Sequence, residues 1–358
     1  MVSGVGRAGA APGEARGSGD PGLATLLLQL LSGDLRARPS PEEWPALQVL
    51  ARRTRVMLRL EARLRGHPEQ PPTVFTDAVA EERRRSEGVL AVAARIGATC
   101  ERTGVPHVFL TAAWQYPDVG ADLDMLVPAA SASEDAALLD HLPAVPAYRT
   151  PLDRLARRRR YVLPGHTTTL TVYHGRLGLL GEHTRYADLL LRRRYATRLG
   201  AARCSVPSPD DQLLYQALSR VPFRRRLSLS DVAWGFACLL RGVRWETLVP
   251  AASATGLLAP LACYLEYLDQ IHREVFGRPL LGFEARSNVP RRVWGRVAYR
   301  RGDYRLPLPD LLGPLCLGQL RLDLCGGDWA AAARLLFAPL VGLEAGWRRL
   351  AHRTTGGN

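Results

Sequence analysis

The sequence predicts an α+β protein: a small mixed sheet with packed helices, flanked by N-terminal helices and followed by a mostly helical C-terminal half. Three observations carry this. Apolar residues recur at helical spacing before residue 104 and again after 184, while the stretch between them alternates polarity with the two-residue period of strands. Within that stretch the order is strand, strand, helix, strand, which favours a mixed sheet over a regular βαβ series. The composition, 47% hydrophobic and 23% charged over 358 residues, supplies a core and excludes wholesale disorder.

Residues 1–21 read as a disordered tail, since six Gly and four Ala among the first twenty leave little to bury. Leu23–Leu31 reads as a short apolar helix. Pro39, Pro41 and Pro45 bracket a linker. Residues 46–65 follow as one amphipathic helix, with Leu47, Leu50, Met57, Leu60 and Leu64 near helical spacing. Pro68, Pro71 and Pro72 break that pattern. Asp77 opens a long helix that runs to about Thr103 and ends at Gly104. Residues 22–104 thus form an N-terminal helical segment.

The period then changes. His107–Ala112 has strand character, and Asp122–Val127 alternates in polarity until Pro128 stops it. Ser131–Leu142 is expected as a short helix, and Tyr161–Leu163 and Thr167–His174 as strands, completing an α/β core over 105–183. Helices are expected at 184–195, 209–220, 229–241, 245–255 and 257–275. Residues 277–310 read as irregular, 328–338 as a last helix, 184–350 together as a helical domain, and 351–358 as a loose tail.

The chain contains no lysine, so all 48 basic residues are arginine, against 34 acids. The excess is local: residues 149–226 hold 17 Arg and 5 acids, so 17 − 5 = 12 of the net +14 sits there. Such a surface suits an anionic partner: a nucleotide, a phosphorylated substrate or a nucleic acid. The arginine runs 157–160, 192–194 and 224–226 read either as phosphate-holding groups or as solvated faces. Nucleic acid ranks last, because aromatics are 7% and no RNA-recognition or helix-turn-helix signature is present. Six scattered cysteines without a CxxC pair read as small core hydrophobes. No apolar run approaches the ~20 residues of a membrane span, and the N-terminus has no signal-peptide core. A cytoplasmic protein without a membrane partner is the expectation.

The sharpest motif is Asp122-x-Asp124 on a strand, after the turn Tyr116–Gly120. Residues i and i+2 of a strand share a face, about 7 Å apart. Two carboxylates so placed repel unless a cation lies between them. Mg²⁺ is a hard ion that takes one or two carboxylates together with substrate phosphates. The same pattern also occurs on solvated strand faces, but apolar Leu123, Met125, Leu126 and Val127 argue for a buried strand.

The runs Val105–Ala112 and Gln115–Val127, with the block His174–His183 (HGRLGLLGEH), resemble the uncharacterised bacterial nucleotidyltransferase family of the DNA polymerase beta-like superfamily. Val206–Leu214 and Arg226–Val232 resemble its helical half, so the resemblance covers about residues 46–275. It implies a nucleotidyltransferase-like sheet with Asp122 and Asp124 as catalytic Mg²⁺ ligands, and Thr111 and Arg176 as nucleotide-binding residues. The implied activity transfers a nucleotidyl group from a nucleoside triphosphate to a hydroxyl or phosphate of a small molecule or peptide. Two departures stand out. The strand Thr169–His174 has no acid where members usually supply a third carboxylate, and Thr111 stands where a Lys is often found. Asp118 or Glu182 are candidate substitutes. A catalytically degenerate binding protein is the alternative.

Three further residues carry two readings each. His174 and His183 read as hydrogen-bonded turn histidines or as a metal pair. Asp231 reads as an N-terminal or arginine-paired structural acid, or as a ligand.

Overall fold

The computed structural model describes residues 20–65, 71–120, 122–129, 144–163, 168–291, 295–307 and 312–337. The expected helix Ser131–Leu142 and the tail 351–358 lie outside the described residues, as does nearly all of the expected tail 1–21. The fold is α+β, with a mixed five-stranded sheet and packed helices.

Helix α1 (Pro21–Leu31) begins at Asp20, whose carboxylate accepts from the Gly22 N–H at 2.7 Å, with Pro21 at the first helical position. The helix expected over 46–65 is two helices, α2 (Trp44–Thr54) and α3 (Met57–Leu64). Arg55 causes the break: its backbone is left-handed at φ 57°, which ends α2 and redirects the chain. Helix α4 (Thr73–Arg102) starts directly after Pro72, a turn earlier than Asp77 suggests.

The central sheet has the order β1 (Val108–Phe109), β2 (Asp122–Val127), β5 (Thr169–His174), β4 (Arg158–Val162), β3 (Val145–Pro146). Only β2 and β5 run parallel, pairing Asp122 with Thr169 and Asp124 with Thr171. The strand expected over His107–Ala112 is shorter, because the chain turns into α5 (Ala112–Gln115). Between β3 and β4 lies α6 (Pro151–Leu155), held by a capping box of Thr150 and Asp153. The first arginine run is mostly β4 itself.

One sheet face carries Leu123, Met125, Val127, Leu170, Val172 and Tyr161. It packs on the second half of α4 and on the hairpin β6 (Tyr195–Leu199) and β7 (Ala202–Val206). That hairpin lies where the sequence suggests only helix ends; Gly200, at φ 62°, makes its two-residue turn. A larger core joins α1–α3 to the C-terminal helices α8 (Pro209–Leu218), α9 (Leu229–Arg241), α10 (Trp245–Ala254) and α11 (Leu258–Phe276). The N-terminal helices and the C-terminal half therefore share buried surface; Gln29, for example, donates to the Val275 carbonyl at 3.1 Å.

The segment expected to be irregular contains α12 (Phe283–Asn288) and the hairpin β9 (Ala298–Arg300) and β10 (Asp303–Arg305). With β8 (Arg226–Ser228) these strands form a three-stranded sheet. Helix α7 (Thr184–Arg193) precedes the β6–β7 hairpin, and α13 (Leu312–Cys325) and α14 (Trp329–Leu335) complete the described chain. Cys100, Cys204, Cys238 and Cys263 are buried free thiols, as small core hydrophobes are expected to be. Burial pushes the Cys100 thiol up to about 12. Among the described residues no helix is long and apolar enough to cross a membrane.

Candidate active site

The opposite face of the sheet is built from the alternate residues of the same strands. Register places Asp124, Thr171 and Arg160 side by side across β2, β5 and β4, with Asp122 beside Thr169 and Arg158 beside Tyr173. Two cavities of about 380 Å³ each open on this face. They share Thr111, Trp114, Asp124, Arg220 and Arg224. Asp122 lines the second cavity with Asp124, so the two carboxylates reach the same space, as strand alternation requires.

The frame behind this junction explains why the aspartates lie there. Asp118, in the turn before β2, is wholly buried and caps α3, accepting from the N–H groups of Leu58 at 2.6 Å and Arg59 at 3.1 Å. Arg59 lies 3.7 Å from that carboxylate and donates to the Trp114 carbonyl and to Ser230. The Arg55 and Gln115 side chains close over Gly120: a Cβ there would overlap the Arg55 guanidinium and come within 2.8 Å of Gln115 Oε1, which already accepts from the Gly120 N–H. The turn is thereby fixed against α2, α3 and α5, and β2 leaves it in register.

The last two shared side chains come from an unusual place. Helix α8 continues into a π-helical segment, Ser219–Arg224, a geometry often found at functional sites. Its Arg220 pairs with Asp231 at 2.9 Å and lies 5.7 Å from the centre of the Trp114 ring, and its Arg224 lines both cavities. Asp231 also closes a capping box with Ser228 at the start of α9. It is therefore the arginine-paired, helix-starting acid that its position suggests, while also lining the second cavity.

Electrostatics follow from this crowding. Burial pushes the Asp124 carboxyl above its ordinary value, Arg224 opposes the shift and Asp122 adds to it. Burial lowers Arg55, against the attraction of Asp122. Tyr173 is pushed up by burial and by Asp124, with Arg158 opposing. Asp122 accepts from the Thr169 hydroxyl at 2.7 Å. Thr111 Oγ1 and Trp114 Nε1 are buried without a hydrogen-bond partner among the described residues. Two orphaned polar atoms at one junction are costly unless a ligand satisfies them.

Of the residues singled out from sequence, Asp122, Asp124 and Thr111 come together here. Arg176 does not: it is not among the residues lining either cavity, donates weakly to the Leu155 carbonyl at 3.5 Å, and is lowered to about 10 by burial and by Arg334 and Arg157. The proposed substitutes for a third carboxylate also lie elsewhere. Asp118 is committed to α3. Glu182 folds over Gly178 and accepts from the N–H groups of Leu179 at 3.3 Å and Leu180 at 2.8 Å. Gly178 has φ 98°, and a Cβ there would overlap that carboxylate. His183 lies 3.7 Å from Glu182. Among the described residues no three His, Cys, Asp or Glu side chains form a group that could hold a metal.

Asp122 and Asp124 still fit Mg²⁺ in one respect. They are hard oxygen donors facing one cavity, and the ion can complete its coordination with ligand phosphates and water. The arginine runs divide: Arg158, Arg160, Arg224 and Arg226 reach the cavities, whereas Arg192 and Arg194 line a separate surface cleft. Sequence reasoning missed Arg55, Trp114, Tyr173, Tyr215 and Arg220. Strand alternation could have found Tyr173, but the π-helical segment has no local signal.

Residues 40–272 match the model of a family described as uncharacterised nucleotidyltransferase, which spans more than half of the chain. No curated protein matches the sequence.

Proposed function

Because the chain belongs to the uncharacterised nucleotidyltransferase family, we propose that it transfers a nucleotidyl group from a nucleoside triphosphate to a hydroxyl or phosphate acceptor at the Asp122–Asp124 junction, in the manner of the DNA polymerase beta-like superfamily. The observation that carries this reading is that two cavities meet at Asp124, with Asp122 beside it in the second and arginines lining both.

Asp122 and Asp124 would hold Mg²⁺, which when bound supplies charge neutralisation at the transferring phosphorus. The chain's own residues bind and orient. Arg158, Arg160, Arg220 and Arg224 surround the first cavity and match phosphate oxygens with guanidinium forks. The orphaned Thr111 hydroxyl lies at the junction, where it can donate to a phosphate oxygen in place of the ammonium that a Lys would bring. Tyr173, Tyr215 and Trp114 give the same cavity an aromatic wall for a nucleoside. The acceptor oxygen bonds to the α-phosphorus, pyrophosphate leaves with the electron pair of the broken bond, and the acceptor proton passes to solvent.

The test is pyrophosphate release from labelled nucleoside triphosphates with Mg²⁺ and a broad acceptor panel, in wild type and in Asp122→Ala plus Asp124→Ala. Release that the double variant abolishes supports the reading; calorimetric metal–nucleotide binding unchanged in that variant removes it. One observation favours a second reading, nucleotide binding without turnover: β5 presents Thr171, not an acid, directly beside Asp124. Binding with no pyrophosphate under any acceptor would select it.

A further inference from the structure

The two cavities differ in kind. Among the described residues, the first is lined by four arginines and one aspartate, with the aromatic wall described above and Leu152, Leu177, Leu179 and Leu218. The second is lined by five arginines and four aspartates, with Thr54, Gln115, Ser228 and Ser230. A nucleoside triphosphate combines several negative charges with an apolar ring, which matches the first lining and not the second.

Resting on the nucleotidyl-transfer reading, we propose that the second cavity is the acceptor site and that its acceptor is a small uncharged polyhydroxylated compound, a sugar or sugar-like polyol. Two of its arginines are paired with aspartates of the same wall. Arg220 meets Asp231 at 2.9 Å, and Arg226 meets Asp303 at 3.2 Å. Arg226 and Asp303, both partly exposed, present a donor beside an acceptor, while Asp231 already accepts from Arg220 and Ser228. A vicinal diol is the complement, since every hydroxyl both donates and accepts. An anion entering here meets Asp231 and Asp303 as well as the Asp122–Asp124 pair, and a cation meets five guanidinium groups. An apolar acceptor would desolvate these charged groups without replacing their hydrogen bonds. The volume, about 380 Å³, is that of a small-molecule site. In the transfer, one acceptor hydroxyl oxygen forms the bond to the α-phosphorus. The α-phosphorus bond to the bridging oxygen breaks, its electron pair leaves with pyrophosphate, and the hydroxyl proton goes to solvent.

The experiment incubates the full chain with Mg²⁺, labelled nucleoside triphosphate and four acceptor sets: neutral sugars and polyols, their phosphorylated forms, carboxylates, and peptides. It reads pyrophosphate and the mass of the adduct. Adducts on neutral sugars or polyols are expected. Asp303→Asn should raise the acceptor KM about tenfold with little change in nucleotide Kd by calorimetry, and Arg160→Gln should do the reverse. Adducts confined to phosphorylated, carboxylate or peptide acceptors overturn the acceptor class while leaving nucleotidyl transfer standing. A nucleotide Kd that responds to Asp303→Asn and not to Arg160→Gln overturns the division of the cavities. No nucleotide binding and no pyrophosphate with any acceptor overturns the underlying reading itself.

Discussion

The two faces of the central sheet come from the same strands, one residue out of step, and they live in opposite surroundings. Leu123, Met125 and Val127 are buried against α4 and the β6–β7 hairpin. Asp122 and Asp124, interleaved with them, face cavities bordered by arginine. The first face needs only shape and apolar area, so its neighbours are interchangeable hydrophobes. The second is held by specific pairs and caps, and it leaves two polar atoms orphaned at its centre. The difference teaches where apolar packing and polar pairing separate in this molecule: one face holds the sheet in place, and the other gathers charged side chains around two cavities.

The largest expected effect breaks the polar face alone. Asp124→Ala should cut pyrophosphate release by about 10²–10³-fold or more, the scale of a lost electrophilic interaction of several kcal/mol. Thermal unfolding followed by circular dichroism should remain near wild type, because no apolar contact is lost; a collapsed melt would show that Asp124 is structural. The mirror experiment on the apolar face is Leu123→Ala, which should cost about 2–5 kcal/mol in denaturant unfolding, as expected for a buried leucine. Nucleotide affinity measured in the surviving folded fraction should change little.

A third substitution sharpens the comparison. Thr171→Asp puts a third acid directly beside Asp124 on the polar face. Mn²⁺ alone should then bind about tenfold tighter, roughly 1.4 kcal/mol, by electron paramagnetic resonance of the free ion. Unchanged affinity would place residue 171 off that face.

Gly120→Ala should act more gently, displacing the Arg55 guanidinium and raising the apparent nucleotide or acceptor KM a few-fold, with stability lowered by under about 1 kcal/mol because a flexible side chain can move. The smallest effect is a pH slope. Burial pushes the Asp118 carboxyl from 3.8 up to about 6, with Arg59 opposing. Between those values the folded chain keeps a proton that the unfolded chain has released. Asp118 therefore makes stability fall as pH rises from about 4 to about 6, and contributes no slope above that. Melting curves of wild type and Asp118→Asn should differ by that slope and run parallel above pH 7.

The legible parts of the fold were those with long periodic patterns. Helices such as Leu229–Arg241 and Leu258–Phe276, and the strand Asp122–Val127, lie close to where their spacing puts them. What escaped notice was set by tertiary context. The break at Arg55 depends on one left-handed residue inside an unbroken amphipathic pattern, and the hairpin of Asp303–Arg305 with Ala298–Arg300 is too short and too arginine-rich to show alternation. The aspartate pair shows in the sequence because it alternates along a strand, whereas Thr111 entered only through the family resemblance. Arg220 and Tyr215 were not readable, since they reach the junction from α8 and its π-helical continuation far along the chain, and Trp114 lies on the short α5 that the strand-like run before it does not announce. Arg176, taken from the block that follows β5, lines neither cavity, because adjacency in sequence does not set which way the chain leaves that strand.

The capping of α3 by Asp118 has a consequence for how the chain can be cut. The same short loop that launches the acidic strand also starts a helix nearly sixty positions earlier, and Arg59 of that helix reaches back to the Trp114 backbone and across to Ser230. Helix α3 is thus a buttress and not an appendage. A truncated fragment beginning at the first strand would retain both aspartates yet lose what aims them.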